Sequence, residues 1–430
     1  MTANSLIQNY PDVPIGNHVK FESAVPSKDS SVGNAPSGWS EWVIRDLAPK
    51  GGLVGGPFGS SLGTKDYVGL GVPVIRGQNL GSDGRFDGSE FVYVSEGKAD
   101  ELKRNIAIPG DLVFTQRGTL GQVGIVPAGH FERYVISQSQ MRLRPDPEVA
   151  DFDFLYYVFR SPQMLDMIGS RAIVTGVPHI NLGILGDFHV LLPPLPEQRA
   201  IAGVLGALDD KIESNRRIIE NALAIIVLEL QLAEDEEWIE IGVSEIADFV
   251  NGGAFTKDAS GTGRMVIRIA ELNSGPGAST VYNEIEVPDE KTARVGDILM
   301  AWSGSLGVHY WTRAEAIINQ HIFKVVCTNF PSWFVYDRLC RAMPEFKQTA
   351  ADKATTMGHI KRHHLDDTKV VVPAPEVLQT LNQELGPIWD RVMSAEIENH
   401  SLVALRNALL PELLSGRLRV KDAESMMENV

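Results

Sequence analysis

The chain has 430 residues, 43% hydrophobic and 22% charged, with 55 acidic against 39 basic side chains, which fits two or three folded domains and excludes wholesale disorder or a fibrous repeat. The two cysteines, Cys327 and Cys340, exclude a disulfide framework or a cysteine-rich zinc site, and the longest nearly apolar run, Ala222 to Ala233, contains Glu229 and is too short to span a bilayer. The first residues have neither the basic region nor the apolar stretch of a secretion signal, so the expectation is a cytoplasmic protein with no membrane contact.

Residues 1–35 are polar and read as an N-terminal tail. From 36 to 192, β-branched runs such as Val72 to Ile75, Asp111 to Thr115 and Leu191 to Leu192 alternate with Gly, Asn, Asp and Pro clusters, the pattern of strands and turns. Apolar residues at helical spacing predict one helix over Phe152 to Ile168. A proline stop, Pro193-Pro194-Leu195-Pro196, then opens a helical segment over 193–236. Within it Ile201, Leu205, Leu208, Ile212, Asn215, Ile219, Ala222 and Ile226 are spaced alternately by 4 and 3, a heptad seam. A second mixed segment over 237–372 ends in the strand-like Lys369 to Val372, and Pro373-Ala374-Pro375 opens a second helical segment over 373–420. Its seam is Leu381, Leu385, Ile388, Val392, Ala395, Asn399 and Leu402, and residues 421–430 read as a C-terminal tail. Gly206 and Gly386-Pro387 predict a bend or restart in both helices.

The chain repeats itself. A shift of 180 residues lays His179 to Ile212 over His359 to Val392 with identities that include His179/His359, Ile180/Ile360, Leu185/Leu365, Leu205/Leu385 and Asp210/Asp390. Upstream, Val74-Ile75-Arg76 matches Val266-Ile267-Arg268, and Gly118-Thr119-Leu120-Gly121 matches Gly304-Ser305-Leu306-Gly307. Ile136 and Gln138 match Ile318 and Gln320. A unit of this length is a domain with its own core, not a layer of a solenoid. The expected fold is therefore α+β: two similar globular domains separated by two long helices that pair as an antiparallel coiled coil, with internal pseudo-two-fold symmetry. The alternative is that each helix packs only on its own domain. Asn215 and Asn399 would fix the register of a pair, or be ordinary solvated helix residues.

The net charge of −16 is unevenly spread. The stretches 42–192 and 237–372 hold 14 basic residues each against 16 and 17 acidic ones, whereas 193–236 holds 4 against 9. The two fronts are thus nearly neutral, and the overall acidity does not rule out phosphate binding there. Catalytic signatures are missing: no GxxxxGK[ST] loop, no Asn- or Asp-Pro-Pro-aromatic motif, no GxSxG elbow, and a PDEK at 288–291 without nuclease spacing. His359-x-x-x-His363 has metal-ligand spacing but lacks the zincin glutamate, and the counterpart of His363 is Gly183, so no metal is expected.

The ordered motifs PSGW (36–39), PFGSSLGTKDY (57–67), GVPVIRGQNL (71–80), GDLVFTQRGTLGQVGIVP (110–127), ISQSQMRLRP (136–145), HINLGILGDFHVLLPPLPEQRAIAGVLGALDDKIESN (179–215) and NHSLVALRNALLPELLSGRL (399–418) resemble the specificity subunits of type I restriction-modification systems. The resemblance covers about residues 36 to 420. It implies two target-recognition domains, 36–192 and 237–372, each reading half of a split site on double-stranded DNA. It also implies helical spacers that set the gap and dock methyltransferase subunits, and an endonuclease/translocase subunit as a further partner. By the same resemblance the chain is non-catalytic and holds no cofactor; S-adenosylmethionine, ATP and Mg belong to the partner subunits. A two-headed DNA-binding scaffold for another methylation or defence system is the alternative. The arm from Leu208 to Leu232 would be about 38 Å long at ~1.5 Å per residue, close to one turn of B-DNA.

Reading bases in the major groove needs forked donors and amides. The candidates in the first domain are Arg76, Gln78, Asn79, Arg117, Thr119, Gln138 and Gln140, beside glycine turns or at strand ends. In the second they are Arg268, Ser303, Ser305, Gln320 and His321, joined by His359, Lys361 and Arg362. Each is alternatively a turn-stabilising or ion-paired residue.

Overall fold

The computed structural model describes residues 36–427 except 82–83, 175, 235–236, 258 and 353–357, so the expected N-terminal tail lies outside the described residues. The chain divides into two compact units: the first runs to Glu213 and resumes at Leu402, and the second spans Ser214–Ser401.

The first unit contains β1 (Ser40–Val43), β2 (Leu53–Gly55), β3 (Tyr67–Val68), β4 (Val72–Ile75), β5 (Val92–Val94), β6 (Ile106–Ala107), β7 (Leu112–Thr115), β8 (Val123–Ile125), β9 (Tyr134–Ile136), β10 (Gln140–Leu143) and β11 (His189–Leu192). An antiparallel sheet has the order β2-β10-β7-β8, a mixed sheet the order β3-β5-β4-β9-β6, and β1 pairs with β11 in a separate ribbon. Strands β4 and β9 are parallel, with Val74 opposite Val135 and Ile75 opposite Ile136. Strands β4, β7, β8, β9 and β10 are buried along their length, and all but β10, which buries Gln140 and Arg142, read as mainly apolar runs rather than alternating ones.

The helix predicted over Phe152 to Ile168 is two helices, α1 (Phe152–Arg160) and α2 (Pro162–Arg171). Pro162 cannot continue α1 but suits the first turn of α2, and the Ser161 hydroxyl caps α2 by accepting from the Met164 N–H at 3.3 Å.

The second unit repeats the plan with β12 (Ile239–Gly242), β13 (Asp248–Asn251), β14 (Arg264–Ile267), β15 (Val281–Asn283), β16 (Thr292–Ala293), β17 (Ile298–Ala301), β18 (Gly307–Tyr310), β19 (Ala316–Ile318), β20 (Ile322–Val326) and β21 (Lys369–Val372). Its sheets are β13-β20-β17-β18 and β15-β14-β19-β16, with the ribbon β12-β21. Here β14 and β19 are the parallel pair, with Ile267 opposite Ile318. The matched triplets Val74-Ile75-Arg76 and Val266-Ile267-Arg268 therefore end the same strand of the same sheet in each unit.

Two long helices, α3 (Leu195–Ala233) and α5 (Pro375–Leu414), follow the ribbons, and the shorter α4 (Ser332–Asp352) lies between them in the chain. Both long helices run unbroken through Gly206 and Gly386-Pro387, so the expected restart does not occur. In the first unit Ile201, Leu205, Leu208 and Ile212 share a core with Leu402, Leu409, Leu410 and Leu413. In the second, Ile219, Ala222, Leu223, Ile226 and Leu230 share one with Leu381, Leu385, Trp389, Val392 and Ala395. The seam assigned to α5 needs one correction: Ile388 is only half-buried, and Trp389 takes the core position. The C-terminal tail is corrected as well, because Val420–Met427 forms a helix, α6, whose Ala423 is fully buried in the first unit's core.

Candidate nucleic-acid interface

In the first unit the turn after β7, the turn between β9 and β10, and the segment before β11 are tied together by backbone bonds. Gln116 N–H donates to Ser139 O at 2.7 Å, Gly118 N–H to Pro178 O at 3.2 Å, and Ile180 N–H to Gln116 O at 3.0 Å. Arg117 and His179 form an isolated bridge between the first and third of these segments. A fourth segment joins through Gly56, whose N–H donates to Gln140 O at 2.8 Å. Only glycine fits there, since a Cβ on Gly56 would lie 2.0 Å from Ser137 O.

The second unit builds the same cluster. Trp302 N–H donates to His321 O at 3.2 Å, Gly304 N–H to Gly358 O at 3.0 Å, and Ile360 N–H to Trp302 O at 3.0 Å. Ser303 and His359 form the corresponding bridge. Gly252 N–H donates to Ile322 O at 3.0 Å, and a Cβ there would lie 2.1 Å from Asn319 O. Gly118 (φ +106) and Gly304 (φ +68) shape the central turn through left-handed backbone. The duplication seen in the sequence is thus a duplicated loop platform.

Placed on this platform, the sequence candidates separate into two kinds. In the first unit Arg117, Thr119, Gln138 and Gln78 are exposed. Gln138 also holds a neighbouring turn, its Nε2 donating to Gly59 O at 2.5 Å and Leu62 O at 2.6 Å. Arg76 is half-buried, and its Nε is buried without a hydrogen-bond partner. Asn79 and Gln140 are corrections, each being 1% exposed. Asn79 Oδ1 accepts from Arg76 N–H at 2.9 Å, while its Nδ2 donates to Asp87 O at 3.0 Å and Glu90 O at 2.9 Å. Gln140 Oε1 accepts from the Ser137 hydroxyl. The Asn79 amide closes its turn through both ends, and Gln140 is too deeply buried to offer its amide to a base.

In the second unit Ser305, Gln320, His359, Lys361 and Arg362 are exposed, with Ser303 and His321 half-buried. The His321 ring meets Trp302 edge-on at 5.3 Å. Arg268 is the third correction: its guanidinium grips Glu271 through Nε at 3.0 Å and a second nitrogen at 2.5 Å, and also donates to Ser279 O at 2.6 Å. The hydrogen bond to Glu271 raises its pKa, so this arginine is a permanent structural cation rather than a free fork. Among the described residues no group of three or more His, Cys, Asp or Glu is placed to hold a metal.

Two residues escaped the list drawn from sequence. His179 is the identical counterpart of His359, so the repeat itself marked it. Phe58, 88% exposed within PFGSSLG, carries no signal in sequence, because burial is a tertiary property. Exposed cations, amides and hydroxyls on glycine-shaped turns can approach base edges and phosphates.

Comparison with known proteins agrees with this picture. Residues 36–223 match the family of the type I restriction modification DNA specificity domain. The chain is 23% identical to the type I restriction enzyme MjaIX specificity subunit of Methanocaldococcus jannaschii over 94% of this chain and 99% of that protein. It is 23% identical to the EcoBI specificity subunit of Escherichia coli over 46% of this chain and 43% of that one. The fold is similar to that of the S subunit of the type I restriction-modification system from M. genitalium, with a TM-score of 0.59 and 16% identity over 90% of this chain and 98% of that one.

Proposed function

We propose, for a chain that belongs to the type I restriction-modification DNA specificity subunits, that each unit reads one half of a bipartite site on double-stranded DNA through its own loop platform. The observation that carries this reading is the duplication of the platform bond for bond, with exposed polar side chains at matching places and different identities. Arg117 and Thr119 stand where the second unit has Ser303 and Ser305, as expected of two heads with one scaffold and separate base preferences.

The recognition domains are 36–192 and 237–372, and the spacers are 193–236 and 373–420. The shared cores of α3 and α5 within each unit, and the buried Asn215 and Asn399, support an antiparallel coiled coil with pseudo-two-fold symmetry that sets the gap between half-sites. Methyltransferase subunits dock on these helices, and an endonuclease/translocase subunit completes the restriction complex. The chain itself is non-catalytic: S-adenosylmethionine, ATP and Mg are held by the partners, adenine is the methyl acceptor, and the assembly works in the cytoplasm. Among the described residues no helix is long and apolar enough to cross a membrane.

Mapping methylated adenines in the host genome with and without the gene tests this reading. Loss of methylation at a single split motif is expected. An unchanged map in a strain where the partner subunits are expressed would overturn it.

A further inference from the structure

Phe58 is the most exposed of the large apolar side chains described, at 88%, and the chain on either side of it is tied to the platform. Gly56, two residues before it, is pressed against Ser137 O and bonded to Gln140 O. Ser61 N–H closes a turn onto Phe58 O at 3.1 Å, and Gln138 Nε2 clamps the carbonyls of Gly59 and Leu62. The ring is therefore held out into solvent at a fixed place beside the turn that carries Gln138 and bonds to Gln116 and Arg117. In the second unit, where Gly252 takes the place of Gly56, Ala254 stands at the position of Phe58, and the phenylalanine lies one residue further on. The Phe255 ring folds over Gly253 and is half-buried, with Lys291 Nζ 5.9 Å from its centroid.

Resting on the DNA-reading function above, we propose that the Phe58 ring is a wedge that enters the base stack of the half-site read by the first unit and unstacks one base step, while the second unit reads its half-site without one. A rigid apolar ring lowers the ordering cost of insertion, and phenylalanine wedges that part base steps are an established way to kink a duplex. A protein partner is the poorer fit. Docking draws on a contiguous apolar area, whereas the residues that flank Phe58 in the chain, the buried Pro57 and the small exposed Gly59, Ser60 and Ser61, add none to it.

The test uses the full chain in complex with its methyltransferase subunits and duplexes carrying 2-aminopurine at successive positions of the motif other than the methylated adenines, which the methyltransferase itself turns out of the stack. Binding is expected to raise fluorescence at one step, in one half-site only. F58A should abolish that rise and weaken binding on the order of tenfold, from the cost of losing one aromatic-base stack. F58W should retain the signal, and F255A should leave it unchanged. Motif-specific binding without any fluorescence rise, or a rise that survives in F58A, overturns the wedge while leaving the DNA-reading function standing. If F58A instead loses its methyltransferase subunits in pull-downs without DNA, the ring is a protein contact and the wedge is overturned. A wild-type complex that binds the motif no better than scrambled DNA overturns both.

Discussion

Asn215 Nδ2 donates to Asn399 Oδ1 across 3.1 Å inside the second unit, and the same nitrogen donates to Glu398 at 2.8 Å. Asn215 is fully buried and Asn399 is 8% exposed, so two amides occupy positions where the rest of the seam is aliphatic or aromatic. Asn399→Leu leaves the buried Asn215 amide short of an acceptor, and a loss of about 1–3 kcal/mol is expected in urea unfolding followed by tryptophan emission. The double replacement of Asn215 and Asn399 by Leu should recover part of that loss, because the two amides leave together and only the half-buried Glu398 carboxylate gives up a donor. A loss in the double variant equal to the sum of the two single losses would show that the two amides act independently.

Arg117 and Asn79 separate reading from scaffolding. Arg117→Ala should leave thermal stability unchanged and lower methylation at one half-site, by a factor equivalent to about 1–3 kcal/mol of base discrimination. Asn79→Ala should do the reverse, lowering the melting temperature of the first unit by opening the turn that Asn79 closes with Arg76, Asp87 and Glu90, with no change in the preferred sequence. Genome-wide methylation maps and scanning calorimetry of the two variants decide between these outcomes.

Gly56→Ala and Gly252→Ala are expected to cost at least about 2 kcal/mol each, because the new Cβ meets a backbone carbonyl rather than a side chain that can move. Each should also impair methylation through its own half-site. A variant pair that retained wild-type melting and methylation would mean that the platform has room to relax.

His309 gives the second unit an acid limit. It is 8% exposed on β18, and burial holds its pKa down to about 4. The unfolded imidazole binds a proton near pH 6.5 while the folded one stays neutral, so stability is lost as pH falls from about 6.5 toward about 4. The loss from this group is on the order of 3 kcal/mol. His400 is also held at about 4, chiefly by burial, and acts with the same sign. Glu396, raised to about 7 by burial, has the opposite sign: its folded form keeps a proton the unfolded form has released, so it favours folding below pH 7. His309→Gln should flatten the decline between pH 6.5 and 4, and Glu396→Gln should steepen it, in melting temperatures taken across that range.

Periodicity and repetition carried most of the fold into the sequence. The 4-3 spacing from Ile201 to Ile226 marked the buried stripe of α3, and the match of Gly118 to Gly304 marked a loop that both units close in the same way. What periodicity could not show was how side chains are spent. Asn79, Gln140 and Arg268 have the chemistry of base readers, and only the folded chain reveals that Asp87, Ser137 and Glu271 already occupy them. The break at Pro162 was legible from proline alone, but the apolar spacing ran across it because α1 and α2 bury faces in the same core. Trp389 displaced Ile388 from the seam because its larger ring packs at a tilt against Tyr310 and Tyr336, at 4.5 Å and 5.5 Å between centroids, a tertiary preference invisible to a spacing rule.

The ribbons β1-β11 and β12-β21 hold the entrance and exit of each front side by side, Ser40 opposite Leu192 and Ile239 opposite Val372. Everything that distinguishes one front from another is therefore enclosed between two paired strands, and the long helix begins only a few residues beyond the exit. A front of different length or sequence could be spliced in at those strands provided it keeps the apolar face that packs on the helix that follows, much as a tool head is changed on a fixed handle. Variation in such a chain is free to proceed by whole-front exchange, one unit at a time, so that new combinations arise in single recombination steps rather than by gradual substitution.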